Sequence, residues 1–319
     1  MKLMIQIPCF NEEKTLPVTL RDIPRVIPGV DEVEILVVND GSSDKTVAVA
    51  KENGVEHILD LPVRRGLAEA FRRGLDKAVE EGADIIVNTD GDNQYNGQDI
   101  PGLIAPILEK KAEIVIGCRD ISAIRHFSLF KKVLQRFGSH IVRRFSSTDI
   151  PDTTSGFRAY SRDAALKLNV LSNYTYTLET IIQAGRKEIP ITHVPVRTND
   201  KLRESRLIKS IPSYIMRSVS TMLRIYLMYE PLKSFFRIGL IPLVLSVILF
   251  ARFLVSHFTK LYGGHVQSLI VASALFMLGC TIMLIGLLGD VISANRKLSE
   301  EILYRLKKAG LSGAGKEDR

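Results

Sequence analysis

The sequence predicts an α/β fold with a mostly parallel, doubly wound sheet, followed by amphipathic helices and a pair of membrane-spanning helices. Three observations carry that expectation. Over the first 120 residues, short β-branched runs alternate with stretches of helical spacing, as in a parallel sheet covered by helices on both faces. Two long uncharged stretches follow nearer the C-terminal end. Finally, the acidic triplet Asp90-Gly91-Asp92 comes directly after the strand-like run Asp84–Asn88. Parallel α/β sheets bind their ligands at such strand ends.

Taken in order, strands are expected at Leu3–Pro8, Glu34–Asn39, His57–Leu61, Asp84–Asn88 and Glu113–Gly117, with a later one at Ile191–Val196. Helices are expected at Glu13–Ile23, Asp44–Asn53, Leu67–Glu81 and Ile104–Lys110. In the third, Leu67, Ala70, Phe71, Gly74, Leu75 and Ala78 recur at helical spacing, and Gly82 stops it. Asp44, after Gly41-Ser42-Ser43, is placed to cap the second. Residues 120–200 are less regular, with a basic helix around Leu129–Phe145.

The first uncharged stretch runs from Ile238 to Ala251 and stays apolar past Arg252 to Val255; the second runs from Val266 to Gly289. A span needs roughly 20 apolar residues. The second stretch has that length, and the first reaches it if Arg252 snorkels to an interface. Their connection, Ser256–His265, carries Lys260 and two histidines, whereas Lys233, Arg237, Arg296 and Lys297 flank the pair outside. The positive-inside rule then puts both chain ends in the cytoplasm. Upstream, Leu207–Tyr229 has apolar residues at helical spacing but is interrupted by Lys209, Arg217 and Arg224, which suits an interfacial helix. The expected organisation is a catalytic domain at 1–200, juxtamembrane helices at 201–232, two spans at 233–290 and a cytoplasmic tail at 291–319.

Composition narrows the function classes. The chain has 319 residues, a formal charge of +8, three cysteines and no tryptophan. The cysteines (Cys9, Cys118 and Cys280) have no C-x-x-C spacing, so neither zinc nor a disulfide framework is indicated. The apolar run Leu3–Pro8 is too short for a signal peptide and enters a strand pattern directly. The positive charge suits lipid headgroups and phosphorylated substrates; no nucleic-acid-binding module accompanies it.

Two carboxylates one residue apart repel unless a cation joins them. A hard ion such as Mg²⁺ or Mn²⁺ meets that need with few protein oxygens, completing its shell with water and substrate phosphates. Three more loops share this polar character: Pro8-Cys9-Phe10-Asn11-Glu12-Glu13, Val38-Asn39-Asp40-Gly41-Ser42-Ser43-Asp44 and Asp152-Thr153-Thr154-Ser155-Gly156-Phe157-Arg158. Acidic groups such as Glu12 and Asp40 can accept hydrogen bonds from a nucleotide's base or ribose. Neither G-x-x-x-x-G-K-[ST] nor G-x-G-x-x-G is present, so ATPase and dinucleotide-binding fingerprints are missing.

Over residues 1 to about 230 these motifs, with Gly117-Cys118-Arg119, occur in the order seen in the inverting family 2 glycosyltransferases of GT-A fold. The chain resembles their polyprenyl-phosphate branch, which includes dolichyl-phosphate mannosyltransferases and undecaprenyl-phosphate glucosyltransferases. The resemblance implies a Rossmann-like catalytic domain that transfers a hexose from a nucleotide sugar to a polyprenyl monophosphate. Pro8, Phe10, Glu12 and Asp40 would form the base and ribose pocket, with Asp90 and Gly91 on the same donor surface. Asp90, Asp92 and Gln94 would hold Mg²⁺ or Mn²⁺. Arg119, Arg203 and Arg206 would contact the diphosphate, and Lys132, Arg136 and Ser139 the acceptor phosphate. Asp152 matches the acidic residue often proposed as catalytic, and it is read here as orienting rather than as a base. Asp92, Asp152 and Arg119 are the candidate catalytic residues. Departures from the family pattern are Arg64-Arg65-Gly66 in place of N-x-G, Gly91 in place of a frequent alanine, and Cys118 in place of a common serine.

A lipid monophosphate has a second pKa of about 6 and is mostly ionised at neutral pH, so it attacks without a strong base. Single displacement then inverts the anomeric centre. A processive polysaccharide synthase would need a Q-x-x-R-W motif, which a chain without tryptophan lacks. A non-catalytic membrane adaptor would have no use for an intact Asp90, Asp92 and Gln94. The expected partners are a nucleotide sugar, a polyprenyl phosphate and the membrane. A homo-oligomer is compatible with the resemblance, although no sequence feature specifies an interface.

Overall fold

The computed structural model describes residues 1–119, 143, 146, 148–171, 175–200, 202, 220, 223–224, 226–259 and 266–317, the side chains of 259 and 312–317 excepted. It divides into two compact units, Met1–Met222 with Leu303–Arg319, and Leu223–Ile302.

The first unit is built on a seven-stranded sheet of order β3-β2-β1-β4-β6-β5-β7. Its strands are β1 (Lys2–Cys9), β2 (Glu32–Asp40), β3 (His57–Leu61), β4 (Ile85–Asn88), β5 (Ile114–Arg119), β6 (Arg158–Ser161) and β7 (Ile191–Val196). All neighbours pair in parallel except β6, which runs antiparallel between β4 and β5. Seven of the eight residues of β1 are buried, as expected of a parallel strand covered on both faces. At the open edge, β7 has no fully buried residue.

Helices α1 (Leu16–Asp22), α2 (Thr46–Glu52), α3 (Leu67–Glu80), α4 (Ile100–Leu108), α5 (Arg162–Lys167) and α6 (Thr177–Arg186) cover the sheet. Of the periodic set predicted for α3, Ala70, Phe71, Gly74, Leu75 and Ala78 are buried, together with Ala68 and Val79, while Leu67 at its start is only half-buried. A Cβ at Gly74 would stand 2.5 Å from Gln6 Oε1 and 3.0 Å from Val38, so glycine brings the helix axis close to β1 and β2.

Several local expectations are corrected. The N-cap of α2 is Lys45 rather than Asp44. Asp44 still does a capping residue's work, because its Oδ1 accepts the Thr46 N–H at 3.0 Å. Helix α4 starts at Ile100, four residues before the predicted start; Pro101 sits in its first turn, where a missing N–H costs nothing. Strand β6 and the short helices α5 and α6 were not foreseen. The basic helix at 129–145 and most of the amphipathic helix at 207–229 lie outside the described residues.

The second unit holds α7 (Pro231–Thr259) and most of α8 (Val266–Glu317). Each has a segment long and apolar enough to cross a membrane, Pro231–Phe258 and Val266–Leu311. Few of their apolar side chains are buried; Ile241 is 63% and Met277 70% exposed. Where α7 meets α8 the contacts are small. A Cβ at Gly279 would stand 3.0 Å from Gly239 O, and Ser246 Oγ donates to Ala272 O at 2.7 Å. Ala272, Gly279, Gly286 and Ser293 recur every seven residues along this seam, the small-residue packing that draws helices together in lipid.

The last turns of α8 belong to the first unit. There Tyr304 Oη donates to Asp163 at 2.6 Å and Lys307 Nζ to Asp76 at 2.7 Å. These contacts tie the helix end to α5 and α3.

Candidate active site

Parallel strands deliver Cys9, Asp40, Asn88 and Arg119 to one edge of the sheet. Antiparallel β6 begins at that same edge, with Arg158 opposite Asn88. The loop 152–157 therefore arrives beside the Asp90–Gln94 loop, although some sixty residues separate them in sequence.

The loops after β1 and β2 are laced together. Asn11 N–H donates to Ser42 Oγ at 2.9 Å, Ser43 N–H to Asn11 Oδ1 at 2.8 Å, and Glu12 N–H to Thr46 Oγ1 at 2.8 Å. Pro8 is buried within β1. Glu12, 5% exposed, accepts from Thr15 Oγ1 at 2.6 Å. Buried Asp40 accepts the N–H groups of Arg65 and Gly66 at 2.6 and 2.9 Å, so its carboxylate also anchors the start of α3. Gly66 has a φ of 98°, a conformation that glycine adopts without strain. The departure at Arg64 has a visible consequence: its guanidinium lies 4.0 Å above the Phe10 ring, a cation–π contact.

Asp92 is 8% exposed, and Gln94 donates to both of its oxygens, from its backbone N–H (3.3 Å) and its Nε2 (3.0 Å). Gly91 packs under this loop; a Cβ there would stand 3.0 Å from Cys9 Sγ, so the glycine at this departure from the common pattern leaves room for the Cys9 side chain. Asp90 lies against Gly156, where a Cβ would come within 3.1 Å of both Asp90 carboxylate oxygens. Among the described residues no three His, Cys, Asp or Glu side chains gather as a metal cluster. Asp90 and Asp92 would offer only hard carboxylate oxygens, a donor chemistry that fits Mg²⁺ or Mn²⁺ where phosphate and water complete the shell.

Arg119 and Asp152 form a forked ion pair. Nε reaches Oδ2 at 2.7 Å and NH2 reaches Oδ1 at 3.1 Å. Thr154 Oγ1 donates to the same Oδ1 at 3.0 Å and accepts from Arg119 NH2 at 3.1 Å. Burial pushes the Asp152 carboxyl up, but the Arg119 charge and its hydrogen bonds outweigh this and hold it below the usual carboxylate value. Burial likewise pulls Arg119 down, and is overcome by the acidic groups around it. Cys118, next door, is a buried thiol pushed up to about 11, too high to form a reactive thiolate near neutrality.

Two framework residues carry more than their sequence signal suggested. Arg158 is fully buried; its guanidinium donates to the carbonyls of Ser155, Thr177 and Thr153 and to Thr180 Oγ1. Asn88 accepts from Gln6 and donates to Gly156 O and Tyr176 Oη at 2.8 Å each. A buried arginine ending a recognised motif was the available clue to Arg158; nothing local marked Asn88. The predicted acceptor-phosphate residues Lys132, Arg136 and Ser139, and the predicted diphosphate contacts Arg203 and Arg206, lie outside the described residues.

The domain model of glycosyl transferase family 2 matches residues 4–168. The chain belongs to this family. As a family 2 enzyme it is a glycosyltransferase, and its mixed sheet is the GT-A fold. It is 32% identical over 206 residues to an uncharacterised protein of Methanocaldococcus jannaschii, a match covering 62% of this chain and 81% of that one. It is 28% identical to the undecaprenyl-phosphate mannosyltransferase of Micrococcus luteus, covering 65% of this chain and 88% of the relative. Its fold is similar to that of glucosyl-3-phosphoglycerate synthase from Mycobacterium tuberculosis, solved with Mn²⁺, UDP and glucosyl-3-phosphoglycerate. That likeness has a TM-score of 0.54 at 19% identity and covers 71% of this chain and 78% of the other.

Proposed function

We propose that this glycosyltransferase moves a hexose from a nucleotide sugar to a polyprenyl monophosphate at a membrane, with inversion and with help from Mg²⁺ or Mn²⁺. The observation that carries the reading is the meeting at one sheet edge of the Asp90–Asp92 pair with the Arg119–Asp152 pair. Relatives named as an undecaprenyl-phosphate mannosyltransferase and a polyprenol monophosphomannose synthase, and two helices able to span a bilayer, support the lipid acceptor. The donor would be GDP-mannose, UDP-glucose or UDP-N-acetylglucosamine.

Asp90 and Asp92 would supply oxygens to the ion, and Gln94, named with them from the sequence, reaches Asp92 through its amide. The bound ion would act as a Lewis acid on the departing diphosphate. Buried Glu12 and Asp40 would accept hydrogen bonds from the base or ribose, with Phe10 and Arg64 beside them. Arg119 brings positive charge to the leaving group while holding Asp152 in place. Asp152, kept ionised by Arg119, orients the acceptor rather than taking its proton. Arg203 and Arg206 would close on the diphosphate, and Lys132, Arg136 and Ser139 would bind the acceptor phosphate. Residues 1–200 would form the catalytic domain, followed by juxtamembrane helices to 232, spans to 290 and a cytoplasmic tail.

Membranes carrying the protein, supplied with radiolabelled nucleotide sugars and a polyprenyl monophosphate, should yield a labelled lipid. Asp92→Asn should lower turnover by at least ~10²-fold, the scale of losing a principal electrostatic stabiliser. Undiminished transfer by that variant in EDTA would refute the role of the carboxylate pair.

A further inference from the structure

Tyr95 follows Gln94 directly, and the carboxylate pair does not account for it. It is 5% exposed, and its ring stacks on Phe157 with centroids 5.2 Å apart. Its hydroxyl leaves the Asp90–Gln94 loop and reaches the opposite one, accepting the Gly156 N–H at 2.9 Å and approaching Ser155 Oγ at 3.5 Å. Gly156 is the residue against which both Asp90 oxygens pack. The Arg119 guanidinium stands 5.7 Å from the Tyr95 ring centroid. One side chain thus touches the loop that carries Asp152, and lies beside both Asp90 and Arg119.

The backbone of Tyr95 is held from the other side. Thr198 forms a β-bridge with it, Asn199 N–H donates to Gln94 O at 2.9 Å, and Asn199 Nδ2 donates to Tyr95 O at 3.3 Å. With its backbone pinned and its ring stacked, the phenol is a spacer of fixed length. Across the sheet edge, Asn88 and Tyr176 donate to the carbonyl of the same Gly156, at 2.8 and 3.3 Å. Gly156 is therefore gripped at its N–H by Tyr95 and at its carbonyl by Asn88 and Tyr176.

We propose that Tyr95 is a positioning residue for glycosyl transfer: its hydroxyl, through the Gly156 N–H, sets the separation between the Asp90–Asp92 carboxylates and the Asp152–Arg119 pair. This rests on the glycosyl-transfer reading above. Donor binding draws on the first pair and on several groups that Tyr95 does not touch, whereas transfer needs Arg119 at the leaving group and Asp152 at the acceptor in register with that pair, so an error in their spacing should slow the chemical step far more than it loosens the donor. Burial raises the Tyr95 phenol above its usual value, and Asp90 and Asp152 add to the rise against the opposing pull of Arg119. The phenol stays neutral throughout the working range, and its contribution carries no pH dependence there.

The test uses the full chain in lipid nanodiscs with Tyr95→Phe, which keeps the stacked ring and removes only the hydroxyl. Turnover should fall on the order of 10- to 100-fold, the scale of a small misplacement of reacting groups. The Kd of a nucleoside diphosphate with Mn²⁺, measured by calorimetry, should stay within about twofold of wild type, a shift well under the ~1.4 kcal/mol that makes a decade. Asn199→Ala, which removes the Nδ2 hydrogen bond to Tyr95 O and keeps the hydroxyl, should show a smaller fall in turnover with the same split and serves if Tyr95→Phe does not fold. Wild-type turnover in both variants overturns the proposal. So does a loss of nucleotide affinity equal to the loss of turnover, or a lowered melting temperature with unchanged turnover per folded molecule. If the wild-type protein itself labels no lipid phosphate, the acceptor assignment fails instead; turnover on another acceptor and nucleotide binding then still test the spacer.

Discussion

Asp152 takes hydrogen bonds on both oxygens from Arg119 and Thr154 while only 1% exposed. Its carboxyl lies below the ordinary value in the folded protein. The stability it contributes is thus present above about pH 4, the unfolded value, and is lost as pH falls through the lower folded value. A group ionised throughout that range is a weak proton acceptor near neutrality. The acid limb of kcat/KM for the lipid phosphate should therefore follow the phosphate's own pKa of about 6. Asp152→Asn should lower the plateau and leave the limb in place; a limb displaced by the substitution would make Asp152 the base. Arg119 is the more fragile partner to lose. Arg119→Met leaves a buried carboxylate uncompensated, at a cost of about 3–5 kcal/mol, and the double variant Arg119→Met/Asp152→Asn should recover much of that in denaturant unfolding. Asp90, Asp92 and Arg119 were legible in sequence because their motifs lie at strand ends, and Asp152 through the family motif it opens. Asn88 and Gly156 were not, because their importance comes from a contact between strands distant in the chain.

At the scale of elements, the β-branched runs foretold six of the seven strands. Their boundaries moved by two residues or fewer at either end, because each run is bounded by polar turn residues. The missing strand, β6, is four residues long and opens on a charged residue, Arg158. Its place is dictated by pairing with β4 and β5, which no local periodicity records. The end of α8 shows the same limit. The stretch 291–319 reads as a cytoplasmic tail with no helix of its own marked, yet the helix continues to Glu317 and docks through Tyr304 and Lys307. Asp163 lies below the usual carboxylate value; burial raises it, and hydrogen bonds from Lys167 and Tyr304 more than reverse that. Tyr304→Phe/Lys307→Ala should lower the stability of the catalytic domain by about 1–2 kcal/mol, since one hydrogen bond to a charged group and one partly exposed ion pair are lost. Thermal unfolding monitored in detergent checks this, and an unchanged midpoint would mean that the contacts contribute nothing.

At the scale of the whole molecule, the proposed transfer requires a polar catalytic domain and a long isoprenoid chain to meet at one surface. Exposed apolar side chains along α7 and α8, such as Val247 at 61% and Leu288 at 65%, would be poorly accommodated in water and suit hydrocarbon. A seam of Ala272, Gly279, Gly286 and Ser293 lets the two helices approach as a hairpin. Hairpin geometry puts both outer ends on one side of the membrane, and charge decides which side. Lys233 and Arg237 precede the first uncharged stretch, Arg296 and Lys297 follow the second, and the connection carries only Lys260 and two histidines. Cytoplasmic flanks hold the excess of lysine and arginine, so the outer ends should face the cytoplasm, where nucleotide sugars are made. A reporter fused after Arg319 should therefore be active in the cytoplasm only. The same reporter inserted at Tyr262–Gly264 should be active on the other side only. Replacing Lys233, Arg237, Arg296 and Lys297 by glutamine while adding four lysines to the connection should erode or reverse that pattern. Identical signals from the two wild-type fusions would mean that the helices do not cross as a hairpin, and the acceptor would then have to be reached from an interfacial arrangement instead.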